Sequence, residues 1–148
     1  MGFKFQHFDF LNLDSNQFTE DELLVRKSAR DYVEDNLIPI IEKAFAEGRS
    51  IHGFEADDAA RNVIRAAGFG EFFTHRTGHN ITQEIHGPGA HLDNLETHDE
   101  RLLLPNTCFS VEPGIYLPEF GVRSEIDMLT APGKAWVTGR LQKELVRI

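Results

Sequence analysis

The sequence is poor in cysteine, in positive charge and in long hydrophobic runs. Its only cysteine is Cys108, so an internal disulfide is excluded. With 15 basic and 24 acidic residues the net charge is −9, which argues against nucleic acid or anionic membranes as partners, because nothing would neutralise their phosphates. No apolar run approaches the length of a membrane span, and the N-terminus lacks the basic start and apolar core of a signal peptide. We therefore expect a cytoplasmic protein.

What is present is the composition of one globular domain. The 148 residues, 41% hydrophobic and 26% charged, can bury a core without disulfides. Cys108 lies in the apolar stretch 107–111, which favours a buried small hydrophobic residue over a reactive thiol. We therefore expect a single domain over residues 1–148.

Helical patterns occupy the first half of the chain. The sequence Thr-Glu-Asp-Glu at 19–22 has the spacing of a capping box, and apolar residues follow it at helical intervals. Pro39 interrupts this helix or opens a second one over 40–47, which Gly48 would end. A further amphipathic helix is predicted over 55–67. The residues expected to be buried in the first two helices are Leu24, Val25, Tyr32, Val33, Leu37 and Ile41.

After Gly70, glycine and proline separate short apolar runs, as strands and turns require. The clearest predicted strands are 107–112 and 122–129. In the second strand a period of two places Arg123, Glu125 and Asp127 on one face and apolar residues on the other. Such a row of charges needs an explanation, and a solvated face is the simplest one.

Histidines are concentrated in the middle of the chain, where six of the seven lie within 52–98. Those of most interest for chemistry are His75, His79 and His86. Two glutamates in strand contexts, Glu112 and Glu125, follow them. Imidazole and carboxylate together suit Mn, Co or Zn. On spacing alone, however, solvated or structural side chains remain the commoner explanation.

Three ordered motifs resemble those of the aminopeptidase P/prolidase family of metallopeptidases. They are FTHRTGHNITQEIH at 73–86, LPNTCFSVEPGIY at 104–116 and FGVRSEID at 120–127. The resemblance extends from about residue 49 to the C-terminus. It implies an α+β architecture, half of a pita-bread fold, in which a curved antiparallel sheet carries a dinuclear metal centre. It also implies hydrolysis of the peptide bond before proline, so proline-containing peptides are the expected substrates.

The same resemblance implies roles for individual residues. The implied metal ligands are His79, Glu112 and Glu125. Glu112 would also act as general acid or base toward the attacking water, and Glu125 would bridge two metal ions. His75 and His86 would line the substrate pocket and stabilise the developing oxyanion. Arg123 would orient the carboxylates.

The chain departs from the family pattern in two respects. Asn80 and Thr82 stand where glycines are common, and Gly87 stands where an acid is common, which bears on substrate preference. The family's other two ligands are aspartates ten residues apart on upstream strands. The upstream aspartates here fall on predicted helices or too close together, so the resemblance accounts for three of five ligands and an incomplete dinuclear site.

Residues 1–46 resemble instead the N-terminal helices of acyl-CoA dehydrogenases of the glutaryl-CoA type, over 8–14 and 18–41. None of that family's flavin-binding or catalytic positions is included, so flavin-dependent activity is not expected. Together the two resemblances predict a chimera, with an N-terminal helical segment at 1–48 and a truncated, peptidase-like half at 49–148.

Two functions are compatible with the sequence. One is a metallopeptidase-derived domain with residual metal binding and weak or no activity. The other is a non-enzymatic folded module, in which the helices cover sheet surface that the missing half would otherwise bury. In either case we expect a two-fold homodimer, because half of a curved sheet leaves an open edge and an apolar face.

Overall fold

The computed structural model describes residues 19, 20, 23, 35 and 37–140. Two helices, α1 (Ile38–Ala46) and α2 (Gly53–Ala66), and a 3-10 turn (Gly70–Phe72) precede six short strands. The strands are β1 (Asn80–Ile81), β2 (Cys108–Val111), β3 (Gly114–Tyr116), β4 (Gly121–Arg123), β5 (Ile126–Ala131) and β6 (Lys134–Val137). Within these described residues, no helix combines the length and hydrophobicity needed to cross a membrane.

Helix α1 packs an apolar face against the sheet. Pro39 lies in its first turn, where the missing N–H is not needed, and Gly48 follows its end with a φ of 66°. Leu37 and Ile41 are completely buried, and the helix contacts β6. The structure therefore confirms the second predicted helix, which Pro39 opens, and the predicted burial of Leu37 and Ile41.

Part of the N-terminal prediction falls outside the described residues. Leu23 donates its backbone N–H to the Thr19 carbonyl at 3.1 Å, as in a helix. The predicted capping partner Glu22 lies outside the described part of the chain. So do four members of the predicted buried set, Leu24, Val25, Tyr32 and Val33. The division of the chain at residues 48 and 49 stays a prediction.

Helix α2 confirms the amphipathic pattern and begins with a capping contact that the sequence pattern did not indicate. The Glu55 carboxylate accepts a hydrogen bond from the backbone N–H of His52 at 2.8 Å. That backbone hydrogen bond, followed by one from the His52 ring, lowers the pKa of Glu55. Ala56, Ala60 and Ile64 form the buried stripe of the helix.

The strands form a four-stranded antiparallel sheet in the order β1-β2-β5-β6 and a separate β3-β4 ribbon. Strand β2 confirms the prediction over 107–112. The single strand predicted over 122–129 is wrong, because the chain forms β4 and β5 with a break at 124–125. Pro113 lies opposite this break, on the segment between β2 and β3. A proline has no backbone N–H, so it cannot donate the hydrogen bond that would continue the ladder there.

The register nevertheless continues across this break. Val111 pairs with Ile126 and Gly114 pairs with Arg123, so equal numbers of residues separate the two pairs on each side. The Ser124 N–H donates to the carbonyl of residue 113 at 3.2 Å. Residues 108–116 and 121–131 are therefore one long bent hairpin, with residues 112 and 125 opposite each other at the bend.

The sheet has a core face and an outer face, as the period of two requires. Phe109, Val111 and Met128 are buried on the core face, in the same hydrophobic cluster as α1 and α2. The outer face carries Ile81, Cys108, Ser110, Asp127, Leu129 and Trp136. Cys108 is half-buried, and burial, followed by the charge of Asp127, raises the pKa of its thiol. This agrees with the interpretation of Cys108 as a small hydrophobic residue.

A buried carboxylate, Asp99, fixes the loop that joins β1 to β2. It accepts hydrogen bonds from the backbone N–H of His91 at 2.7 Å and from the backbone and guanidinium of Arg101. Burial alone would raise the pKa of Asp99, but these hydrogen bonds outweigh it and hold the pKa at about 2. The Asp99 side chain in turn raises the pKa of Arg101.

We expect Asp99 to stabilise the fold by roughly 2 kcal/mol at neutral pH. Because its folded pKa lies below the ordinary value of 3.8, this contribution is complete above pH ~4 and is lost as the pH falls toward 2. Asp99→Asn should lower the free energy of unfolding by about that amount at pH 7, and the difference from the wild type should shrink toward pH 2. Urea unfolding across this range checks it, with the exposed neighbour Glu100→Gln as control. An equal difference at both ends of the range would contradict the assignment.

Candidate metal centre

His79 and Glu112 meet on the outer face of the sheet. His79 Nε2 lies 3.2 Å from Glu112 Oε1, and both side chains are largely buried. The backbone brings them together, because Ser110 donates its N–H to the His79 carbonyl at 2.9 Å and Glu112 donates its own to the Thr77 carbonyl at 2.7 Å. The histidine segment thus continues the pairing of β1 with β2.

The hydrogen bonds of His79 fix its orientation. Its Nδ1 lies 3.2 Å from the Asn80 carbonyl, which can only accept, so Nδ1 carries a proton. In the neutral ring, Nε2 then directs a lone pair at the oxygen of Glu112. Such a contact is favourable only with a proton or a metal cation between the two atoms. Two ligand atoms each 2.0–2.2 Å from one ion lie roughly 3 Å apart, so the observed spacing fits a shared cation.

Ser110 positions both partners, a role that the sequence did not reveal. Its hydroxyl accepts a hydrogen bond from the His79 backbone N–H at 3.0 Å and donates one to Glu112 Oε1 at 2.9 Å. Ser110 is almost completely buried. It orients the Glu112 carboxylate toward His79, as a hydrogen-bonding group behind a metal ligand does.

Glu125 lies opposite Glu112 across the bent hairpin, and Arg123 stands between them. Arg123 Nη1 is 3.2 Å from Glu112 Oε2, and its Nε is 3.6 Å from Glu125 Oε2. Like charges directly opposite each other repel, and the guanidinium relieves this repulsion. Among the described residues, no group of three His, Cys, Asp or Glu side chains is placed to hold a metal ion. Two of the three expected ligands therefore touch, and the third is linked to them through Arg123.

The other two histidines of the motif have different surroundings. His75 donates from Nδ1 to the Arg76 carbonyl at 2.7 Å, so its Nε2 accepts from the Tyr116 hydroxyl at 3.0 Å. Tyr116 lies in the second motif, but nothing in the sequence distinguished it. His86 is exposed and packs edge-on against the His79 ring, with ring centres 4.2 Å apart. His86 thus lies beside the candidate ligand His79, whereas the contacts of the His75 ring are with Arg76, Tyr116 and Phe73.

The three departures from the family motif form one packed unit. A Cβ at Gly87 would lie 2.2 Å from Asn80 Oδ1 and 2.6 Å from the Thr82 methyl group. Asn80 cannot move freely, because its side chain is bound to the N–H of Gly89 and to the Cys108 carbonyl, each at 3.0 Å. The larger side chains at 80 and 82 therefore exclude an acidic side chain from position 87.

The model of the metallopeptidase family M24 matches residues 18–132. The chain belongs to metallopeptidase family M24. It is 44% identical over 72 residues to an Xaa-Pro dipeptidase of Lactobacillus delbrueckii subsp. lactis, covering 48% of this chain and 18% of that protein. It is 33% identical over 93 residues to an Xaa-Pro dipeptidase of Pyrococcus horikoshii, covering 62% of this chain and 25% of that protein.

Solved structures show the same relationship. The Xaa-Pro dipeptidase from Bacillus anthracis matches with a TM-score of 0.70 at 30% identity, covering 88% of this chain and 34% of that one. The X-Pro aminopeptidase from Thermotoga maritima matches with a TM-score of 0.70 at 30% identity, covering 85% and 33%. The chain thus spans about a third of these structures. Its antiparallel sheet with helices confirms the predicted α+β class and is consistent with part of a pita-bread M24 domain.

The residues matched by the M24 family include most of the predicted N-terminal segment. The match begins at residue 18 and so includes α1, which packs on the sheet and shares its core. The predicted peptidase resemblance is confirmed over residues 49–132. An acyl-CoA dehydrogenase origin of residues 1–46 receives no support from these matches and stays a prediction.

Proposed function

We propose that this chain carries part of an Xaa-Pro metallopeptidase site, binds one divalent cation such as Mn, Co or Zn, and by itself cleaves Xaa-Pro bonds weakly or not at all. The observation that supports this most is the 3.2 Å contact between His79 Nε2 and Glu112 Oε1 in a chain of family M24. Glu125 would become the third ligand if its carboxylate left Arg123 and bound the cation instead.

We propose roles for the residues that surround this contact. A bound divalent cation lowers the pKa of its water and polarises a substrate carbonyl. Arg123 holds both carboxylates when the cation is absent. His75, whose ring nitrogen accepts from the Tyr116 hydroxyl, and His86, which stands exposed beside His79, would line the pocket for a proline-containing peptide.

Weak activity is proposed because the donor set is small. Residues 1–148 offer no counterpart of the family's aspartate pair, and of the three expected ligands only His79 and Glu112 are in contact with each other. An attacking water and a polarised carbonyl would therefore depend on one loosely held cation. We propose an incomplete dinuclear site on these grounds.

A non-enzymatic module is the second candidate, and the position of Arg123 favours it. Its guanidinium contacts both Glu112 and Glu125 and offsets one of their two negative charges, so the acidic pair depends less on a metal cation. In that case the helices stabilise the sheet, and the residues around Glu112 catalyse no reaction.

Three further proposals concern the state of the protein. Strand β6, which is an edge strand within the described part of the chain, and the exposed Trp136 on the outer face favour a two-fold homodimer, whose mass would be about twice the 16.8 kDa of the monomer. The single cysteine fits a cytoplasmic location, and the net charge of −9 argues against nucleic acid or anionic membranes as partners. A chimeric origin of residues 1–48 would require that segment to match a second family.

Calorimetric titration with Mn²⁺, paired with an Xaa-Pro dipeptide hydrolysis assay, tests the proposal. We expect one bound ion per chain and turnover close to background. Turnover that needs Mn²⁺ and is abolished by Glu125→Gln, but not by the exposed Glu119→Gln, would show that the site is active. Absence of any binding would contradict the metal site and leave the non-enzymatic module.

A further inference from the structure

Helix α2 carries a buried ion pair that faces the histidine segment. Asp57 is completely buried and Arg61 nearly so. They lie one turn apart, and Arg61 Nε donates to Asp57 Oδ2. A charge pair in such a place is costly to desolvate, so it persists only when further hydrogen bonds satisfy both groups.

Arg61 uses its remaining donors on the backbone around His75. Its Nη1 donates to the Phe73 carbonyl at 3.1 Å, and its Nη2 donates to the His75 carbonyl at 2.6 Å. The guanidinium also lies 4.3 Å from the centre of the Phe73 ring. One rigid side chain therefore holds the backbone at two residues of the histidine motif.

Asp57 uses its oxygens on the next part of the same segment. Its Oδ1 accepts from the Thr77 backbone N–H at 2.8 Å and from the Thr77 hydroxyl at 2.6 Å. Its Oδ2 accepts from the Asn94 N–H at 2.9 Å. The Thr77 carbonyl in turn accepts from the N–H of Glu112 at 2.7 Å. Two successive hydrogen bonds thus connect Asp57, through Thr77, to the backbone of Glu112.

We propose that Asp57 and Arg61 are positioning residues for the metal centre. Arg61 fixes the backbone that carries His75. Asp57 fixes Thr77, which lies two residues before His79 and whose carbonyl accepts a hydrogen bond from the N–H of Glu112. A well-packed apolar pair could supply comparable stability, since replacing buried ion pairs by hydrophobic residues is often neutral or stabilising. What an apolar pair could not supply is a fixed set of directional bonds to the histidine segment. This inference rests on the proposed metal site.

The test compares Asp57→Asn, Arg61→Lys and Thr77→Val in the full chain. Asp58→Asn is the matched control. Asp58 is the next residue of the same helix, and its carboxylate accepts a hydrogen bond from the side-chain amide of Asn94 rather than from the histidine segment. Mn²⁺ affinity is measured per folded protein, well below the unfolding temperature. We expect each of the three variants to bind Mn²⁺ ~10–100-fold more weakly than the wild type, as for other groups behind metal ligands, and the control to be unchanged.

A second measurement does not depend on metal binding. The ring Cε1–H NMR signals of His75 and His79 are recorded in metal-free protein at one pH. They should move in the three variants and stay in place in Asp58→Asn. If the wild type binds no Mn²⁺, the proposed metal function fails, while these signals still decide the positioning role.

Two outcomes would overturn the inference. One is folded Asp57→Asn and Arg61→Lys proteins with wild-type affinity and unshifted histidine signals, which would make the ion pair purely structural. If those variants do not fold, Thr77→Ser and Thr77→Val decide instead. The serine keeps the hydroxyl and should behave as wild type, and equal behaviour of the two variants would contradict the role of the Asp57 contact.

Discussion

Replacement of Glu112 by glutamine is expected to weaken Mn²⁺ or Co²⁺ binding by at least about a hundredfold, or ~2.7 kcal/mol. The change keeps the size of the side chain but removes the charge of the carboxylate whose oxygen lies 3.2 Å from His79 Nε2. Loss of groups that only orient a metal ligand typically costs 10–100-fold in affinity, so loss of a ligand should exceed that range.

The free energy of unfolding of the metal-free protein separates this effect from misfolding. Arg123 is half-exposed, so removing its ion pair with Glu112 should change stability by less than about 1 kcal/mol. Calorimetric titration of Glu112→Gln beside Glu119→Gln gives the comparison. An affinity for Glu112→Gln close to that of the control would exclude Glu112 as a ligand.

The second large effect concerns α1. Phe45 is buried in the core beside Leu37 and Ile41, and the helix lies against β6. Phe45→Ala should lower the free energy of unfolding by roughly 3–5 kcal/mol, because truncation of a buried aromatic side chain leaves a cavity in the core. The exposed Glu42→Ala on the same helix should change it by no more than ~0.5 kcal/mol. Urea unfolding of both variants measures the difference.

Removal of residues 1–45 extends the same argument. The deletion takes Leu37, Ile41 and Phe45 from the core together, and typical domains have only ~5–15 kcal/mol of stability to lose. We expect an unfolded or aggregating remainder, seen by circular dichroism and size-exclusion chromatography. A soluble, monomeric remainder that unfolds cooperatively would show that these residues are dispensable for the fold.

Local patterns predicted α1, α2 and β2 because the causes of these elements are local. Pro39 and Gly48 mark the ends of α1, and the apolar spacing of α2 is visible within the helix itself. The break between β4 and β5 was missed because its cause lies on the other strand, at Pro113. The alternation of charged and apolar residues over 122–129 was nevertheless right, since Met128 is buried and Arg123 and Glu125 are exposed.

The candidate site divides in the same way. His79 and Glu112 could be identified because they lie in recognisable motifs, and the structure places them in contact. Ser110 could not, because a serine on a strand carries no signal until its neighbours are known. Asp57 and Arg61 have the spacing of an ordinary surface ion pair on a helix. Their contacts with residues 73–77 span 12 to 20 positions in the sequence, so only the fold reveals them.

The most direct test of the account is a crystal structure grown with Mn²⁺ or Co²⁺, with the ion located by its anomalous scattering. We predict one peak between His79 Nε2 and Glu112 Oε1, with Glu125 turned from Arg123 toward the ion. No peak at that position at saturating metal, or a peak only among surface histidines such as His52 and His98, would contradict the assignment of the metal centre.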